Sequence, residues 1–362
     1  MMRHSLVVLG MISATAFGSV ATSGCSSGST SREGFGDPTT TDPTQPGAVD
    51  PSTPGASSGN PAPQPSKPGC AQSDYTETLP TKASISDLGY SSAQAQTYLL
   101  GALQRRYPLG KDLVNGGLSS SIAAQQGSCV DRFLTNKSSA QVVLKQAATV
   151  VHECGHFFDI GESKGDATAY VLRTDLRFAC KDGDTTSRGG RTFARSRIKT
   201  DAYYTKRKAC NGTGTTGCDF YADIYLDGNP DDAAFESGDQ GFNFVLEEAT
   251  QYVNSLATAL AFQEVYQGGR SSERDGILTF LWYIERYLHM ARLEYQGAYD
   301  ALSTDPCWRQ AILSVWDRGL FYLEATKSIT SLGIDDQTLE GLVNDPALTS
   351  EIDALRKLEC SP

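Results

Sequence analysis

Two of the chain's four histidines fall within one pentapeptide, His152-Glu153-Cys154-Gly155-His156. On a helix the i, i+4 spacing sets both imidazoles on one face, where they can share a Zn²⁺, while Glu153 projects beside them as a general base. Such a set performs metal-assisted hydrolysis. Zinc brings the pKa of a water toward neutrality and polarises a carbonyl, and the glutamate takes the water's proton and passes it to a leaving amine. The reaction class this implies is amide hydrolysis. The plain alternative is a core helix that happens to carry two histidines.

The element that must position these residues is a helix running from Ala140 to Asp159, capped by Ser138 or Ser139 and free of proline, with Gly161 letting the chain turn at its end. Its apolar content predicts burial, and burial among Val150, Val151, Phe157 and Phe158 favours the neutral, ligating imidazole. A catalytic zinc takes a third protein ligand and keeps its fourth position open. No histidine follows at short spacing; Glu162 stands there instead, and beyond the motif only His289 remains. A carboxylate is therefore the expected third ligand, and the segment Phe244-Val245-Leu246-Glu247-Glu248-Ala249-Thr250-Gln251-Tyr252 offers two.

In that segment the chain resembles the gluzincins, zinc peptidases whose second active-site helix carries the ligand glutamate before a glycine or alanine. Glu248 matches by its following Ala249, with Tyr252 four residues on. HECGHFFD is also similar to the HExGHxxD form of the catalytic domain of anthrax lethal factor and its relatives. The resemblance covers two helices, about 140–159 and 243–262, and implies a zincin-like domain with zinc held by His152, His156 and Glu248 and with Glu153 as catalytic base. Glu247 is the fallback ligand, and either glutamate could instead be a solvated helix position. Where thermolysin-like enzymes place an aspartate to orient a histidine, this chain has Tyr252; Asp159, one turn after His156, is another residue able to orient a ligand histidine.

The amino terminus reads as an export signal over residues 1–24: Arg3 and His4 precede a mostly apolar stretch from Leu6 to Ala21. Thr22-Ser23-Gly24-Cys25 resembles a bacterial lipobox, which makes Cys25 a lipidation site and the membrane a partner through that lipid; Ser26 after it fits sorting to the outer membrane. Residues 25–69 hold nine of the fifteen prolines among Ser, Thr, Gly and Asp, and are expected to form a disordered tether. Residues 70–362 then form the catalytic domain, in one body or two lobes. Apart from Cys25, eight cysteines remain, an even set that reads as disulfides in an exported chain. Cys210 with Cys218 and Cys307 with Cys360 are the expected pairs, and Cys154 is expected as a disulfide or a buried thiol facing away from the metal.

Helical patterns dominate: Ser92–Tyr107, the zinc helix, Asp166–Phe178, Asn243–Phe262, Ser271–Leu302 and Pro306–Lys327. The fold class is thus mainly α (α+β), with a small sheet from Tyr75–Ile85 and Arg191–Tyr204 and a helical C-terminal lobe. The formal charge of −11, without a basic run interleaved with aromatics, argues against nucleic acid. The partner expected is a protein or peptide substrate, acted on by a monomer. Asp227–Asp232 reads as a solvated acidic loop or a calcium loop without the glycine and final glutamate of an EF-hand. His289, Tyr203, Tyr204, Tyr221 and Tyr225 are the candidates for stabilising an oxyanion. Two rival functions are a catalytically silent zinc-containing binding lipoprotein and a cell-wall-acting metallohydrolase. Retention of Glu153 argues against the first, since a structural zinc needs no base.

Overall fold

The computed structural model describes residues 70, 75–181, 193–228 and 240–360; Cys25, the signal, the whole tether and the acidic loop from Asn229 onward lie outside them. The described residues form a mainly helical body with one two-stranded antiparallel sheet. Its helices are α1 (Ala95–Arg106), α2 (Pro108–Ser119), α3 (Ser121–Gln126), α4 (Cys129–Phe133), α5 (Ala140–Lys145) and α6 (Ala147–Glu162) before the sheet. After it come α7 (Phe220–Tyr225), α8 (Phe242–Ala261), α9 (Glu273–Glu294), α10 (Gln296–Thr304), α11 (Pro306–Ala325), α12 (Asp336–Val343) and α13 (Pro346–Cys360). Helices α8 and α9 are buried on nearly every face, as expected of helices at the centre of a core. None of the described helices is long and apolar enough to cross a membrane.

The expected zinc helix is split. Ser139 caps its start by accepting the Val142 N–H, but the chain makes a tight turn at Gln146, whose N–H bonds to the Val143 carbonyl. The Gln146 side chain explains the break: its amide donates to the Asn136 carbonyl at 2.6 Å and its oxygen accepts the Asn136 N–H at 3.0 Å, tying the helix to the preceding loop. The motif therefore lies entirely on α6, which ends at Glu162, with Ser163 as its C-cap.

Asp166–Phe178 is not a helix. Strand β1 (Thr168–Arg173) pairs antiparallel with β2 (Leu176–Cys180), Tyr170 opposite Phe178, and Thr174-Asp175 make the two-residue turn. The alternation of Leu176, Phe178 and Cys180 is a period-2 signal too short to stand out among helical patterns. Among the described residues this hairpin is the sheet, and neither Tyr75–Ile85 nor the described part of the Arg191–Tyr204 region, residues 193–204, belongs to it. Residues 75–81 have no regular secondary structure, with the Thr81 N–H on the Arg106 carbonyl at 2.8 Å, and Arg195–Thr200 and Ala202–Lys206 are 3₁₀ turns.

Four disulfides close the body: Cys70–Cys360, Cys129–Cys154, Cys180–Cys307 and Cys210–Cys218. The Cys210–Cys218 pair is as expected; Cys307–Cys360 is not formed. Cys307 opens α11 against the end of β2, and Cys360 ends α13, where it meets the start of the domain instead.

A chain of buried polar side chains crosses the core. Glu77 accepts from Arg318 Nε at 2.8 Å, Tyr75 at 2.7 Å and Tyr322 at 2.5 Å; Arg318 donates to Asn254 at 2.7 Å, Asn254 to Gln251 at 2.9 Å, and Gln251 to Asp159 at 2.8 Å. Asp159 also accepts the Val171 N–H of β1 at 3.0 Å. The relay thus joins the amino-terminal segment, α11, α8, α6 and the hairpin.

Burial pushes the Glu77 carboxyl up, but the Arg318 charge and the hydrogen bonds from Arg318, Tyr322 and Tyr75 outweigh it and hold the group below its usual value. A depressed folded value stabilises the protein above the unfolded carboxylate pKa of about 4.3, and that stability is lost as pH falls through the folded value. Glu77→Gln is expected to cost about 3–5 kcal/mol near neutral pH by leaving Arg318 uncompensated. It should also flatten the acid limb of the stability curve, which denaturant unfolding between pH 7 and pH 3 measures.

Candidate metal centre

Helix α6 presents His152, Glu153 and His156, and α8 packs against it with Glu247, Glu248, Gln251 and Ser255 facing the motif. On α8 the spacing from Glu248 to Tyr252 to Ser255 is i, i+4, i+7, one stripe of a helix. The crossing is close because Gly155 lacks a side chain: a Cβ there would overlap Gln251 Oε1, which is itself held by Asn254.

The two Nε2 atoms lie 2.9 Å apart, and each is 3.5 Å from Glu248 Oε2. Ligand atoms about 2.0–2.1 Å from one tetrahedral metal are separated by about 3.3 Å, so this triangle has the size of a coordination shell. His152, His156 and Glu248 are the one group among the described residues able to hold a metal ion, and all three are buried. The other ring nitrogens are engaged: His152 Nδ1 with Ser255 Oγ at 3.1 Å and His156 Nδ1 with Glu247 Oε1 at 2.5 Å. An Nδ1–H donated to the Glu247 carboxylate leaves the Nε2 lone pair facing the triangle, as a ligand histidine requires. Glu248 Oε2 has no hydrogen-bond partner although it is buried. Three electron-rich atoms converge here and repel one another unless a cation, a proton or a metal ion, stands among them. The residues therefore fit a metal.

The same field acts on protons. Burial opposes a charge on His156, yet Glu247 and Glu248 hold its pKa well above the ordinary value; Glu248, pushed up by burial, is held well below by His156 and His152. A proton and a metal cation compete for this one site.

Glu247 is therefore the residue that orients His156, not a ligand. Asp159 does not orient a histidine, since its oxygens are taken by Val171 and Gln251. Glu162 is exposed at the end of α6 and takes no part. Among the candidate donors, Tyr225 borders the site. Its hydroxyl is 3.0 Å from that of Tyr252, whose ring stands edge-on to His152 at 4.7 Å. Burial first, then the charges of Glu248 and Glu153, raise the Tyr225 pKa well above normal. The others are engaged elsewhere: His289 with Glu351 at 2.7 Å and the Tyr203 ring, Tyr204 with the Ala209 N–H, Tyr221 with the Ser272 carbonyl. Sequence reasoning missed Ser255, although its position two turns after Glu248 on the same stripe was a usable signal.

Comparison with protein-family models, with curated proteins and with solved structures finds no match. The ligand assignment is open to a direct measurement. Glu248→Ala is expected to lose the metal on dialysis against a mild chelator, and Glu247→Ala to weaken retention by about 10–100-fold through His156. Glu162→Ala should retain it like the parent, and metal content by elemental analysis distinguishes the three.

Proposed function

We propose that this chain is a zinc-dependent peptidase with a zincin-like catalytic domain of the gluzincin type, acting on protein or peptide substrates at a bacterial cell envelope. The observation that carries the reading is the convergence of His152 Nε2, His156 Nε2 and Glu248 Oε2, with Glu153 buried on the same helix between the two histidines. Two imidazoles and a carboxylate are a common donor set for catalytic zinc and leave a fourth position for water or substrate. Zinc, when bound, supplies Lewis-acid polarisation of the scissile carbonyl and acidifies a water.

The chain's own residues do the rest. Glu153 accepts the proton of the attacking water as the new C–O bond forms, then gives it to the departing nitrogen as the C–N bond breaks. The Tyr225 phenol, kept protonated by burial, is a hydrogen-bond donor beside the site, suited to the oxyanion that develops on the carbonyl. Glu247 and Ser255 fix the ring orientations, so little reorganisation remains at the moment of reaction.

Glu153→Gln is expected to keep its zinc and to lower kcat by about 10²–10⁴-fold. A digestion panel of unfolded protein, folded protein and peptidoglycan, run beside metal analysis of the variant, tests this; undiminished turnover in Glu153→Gln would refute the mechanism.

Lipid on Cys25 belongs to the same proposal, with the segment up to residue 69 as a tether whose root-mean-square reach is about 35 Å if it behaves as a flexible coil. Stable attachment needs more than one acyl chain, which lipidation of an N-terminal cysteine supplies. Cys25→Ser should move the protein from the membrane to the soluble fraction with peptidase activity intact, and fractionation like the parent's would exclude the anchor.

A further inference from the structure

Among the described residues four arginines are fully buried, and three of them close an ion pair: Arg274 with Asp336 at 2.7 Å, Arg286 with Asp201 at 2.8 Å and Arg318 with Glu77 at 2.8 Å. Arg195, 1% exposed, closes none among the described residues, and its Nε and Nη1 have no hydrogen-bond partner. Two neighbours share this condition. Ser196 Oγ and Gln240 Nε2, each 1% exposed, also lack partners, and Gln240 is tied to Arg195 through the Arg195 N–H on its carbonyl at 2.7 Å. Among the described residues these buried donors find no acceptor.

Its place in the fold is beside the metal centre. The guanidinium lies over the Tyr225 ring, 5.3 Å from its centroid, and the Tyr225 hydroxyl reaches Tyr252 next to His152. Burial works against the charge on Arg195, and Glu248 is the neighbour that most sustains it, without closing an ion pair. A buried guanidinium that no carboxylate engages in hydrogen bonds is costly, and an incoming carboxylate that docks on it offsets that cost. The planar fork of an arginine matches a carboxylate in two parallel hydrogen bonds.

We infer that Arg195, with Ser196 and Gln240 beside it, is a substrate-carboxylate site, so that the peptides preferred are those carrying a carboxylate close to the scissile bond. The carboxylate is a free C-terminus or an acidic side chain. This deepens the peptidase reading and rests on it for the identity of the substrate, but the binding it requires is measurable without turnover.

The test uses the full chain carrying Glu153→Gln, loaded with zinc, and three blocked tripeptides: one with a free C-terminal carboxylate, its C-terminal amide, and an amide carrying aspartate at the last position. Calorimetry is expected to show the free acid bound about 10–100-fold more tightly than the plain amide, in line with hydrogen bonds to a charged group. Tight binding of the aspartyl amide assigns the site to a side-chain carboxylate, and weak binding assigns it to the terminus. Arg195→Met, in the same background, should collapse the acid-to-amide ratio toward one while the melting temperature holds or rises, because an unpaired buried charge has been removed. Arg195→Lys, which keeps charge but not the fork, should give an intermediate ratio.

Equal binding of the free acid, the plain amide and the aspartyl amide to the parent, or binding of none of them, overturns the proposal. So does an Arg195→Met protein that melts lower and keeps the preference, since that describes a structural arginine. In turnover with Glu153 intact, an equal loss of kcat on acid and amide in Arg195→Met would assign the residue to the oxyanion instead. Failure of all peptides to be cleaved, with the acid preference in binding preserved, removes the peptidase reading and leaves the carboxylate site standing.

Discussion

The arrangement depends on one contact: the Gln251 amide occupying the space that a side chain at 155 would fill. With Gly155 on α6 and Gln251 on α8, the two helices cross at a distance no larger residue permits. Gln251 is then held on both sides, by Asp159 of α6 and by Asn254 one turn along α8, so neither sliding nor rotation of α8 is free. Glu247, Glu248 and Ser255 owe their register on the two histidines to that lock. A buried polar relay of this kind stabilises one arrangement only while every member is paired, which makes it a determinant of geometry more than of net stability.

Charge is the second constraint. Glu153, Glu247 and Glu248 are all buried within a few residues of each other along two facing helices. Like charges in a region of low dielectric repel strongly, and folding alone gives no reason to gather them. A cation held by the triangle would offset this repulsion, and the Arg195 guanidinium, which Glu248 sustains without an ion pair, lessens it. Asp159, on α6, is driven by burial and by Glu247 above its usual pKa, while the hydrogen bonds from Val171 and Gln251 act in the opposite direction.

What could be read from the sequence was local. The spacing of His152 and His156, the Glu248-Ala249 pair, the cap at Ser139 and the long apolar helices each need only a few neighbouring residues to be recognised. What failed was either brief or distant. The hairpin of β1 and β2 has five or six residues per strand and sits beside a helix whose period dominates the window. The break at Gln146 comes from a side chain reaching back ten residues to Asn136. Cys70–Cys360 and Cys180–Cys307 span 290 and 127 residues, for which spacing gives no signal, whereas Cys210–Cys218 closes a loop of eight and was legible. The isolation of Arg195 is a property of three dimensions, because only the folded core reveals which arginines lack a carboxylate.

Cys154 shows how the motif's variable positions serve the scaffold. It faces away from the metal ligands and is bonded to Cys129 of α4. On that same side α2 approaches so closely that a Cβ at Gly117 would overlap the Cys154 carbonyl oxygen, and a Cβ at Gly116 would overlap the Phe158 ring. Helix α6 is therefore gripped on two faces: by α2 and the disulfide behind, and by Gln251 of α8 in front. Of the two middle positions of the pentapeptide, one supplies a covalent tie and the other supplies the absence of a side chain. Neither touches the ligand atoms, yet together they hold the backbone that aims both imidazoles. Side chains carried on a helix clamped in this way would need little ordering if an ion arrived, which is what a group able to hold a metal without distortion requires.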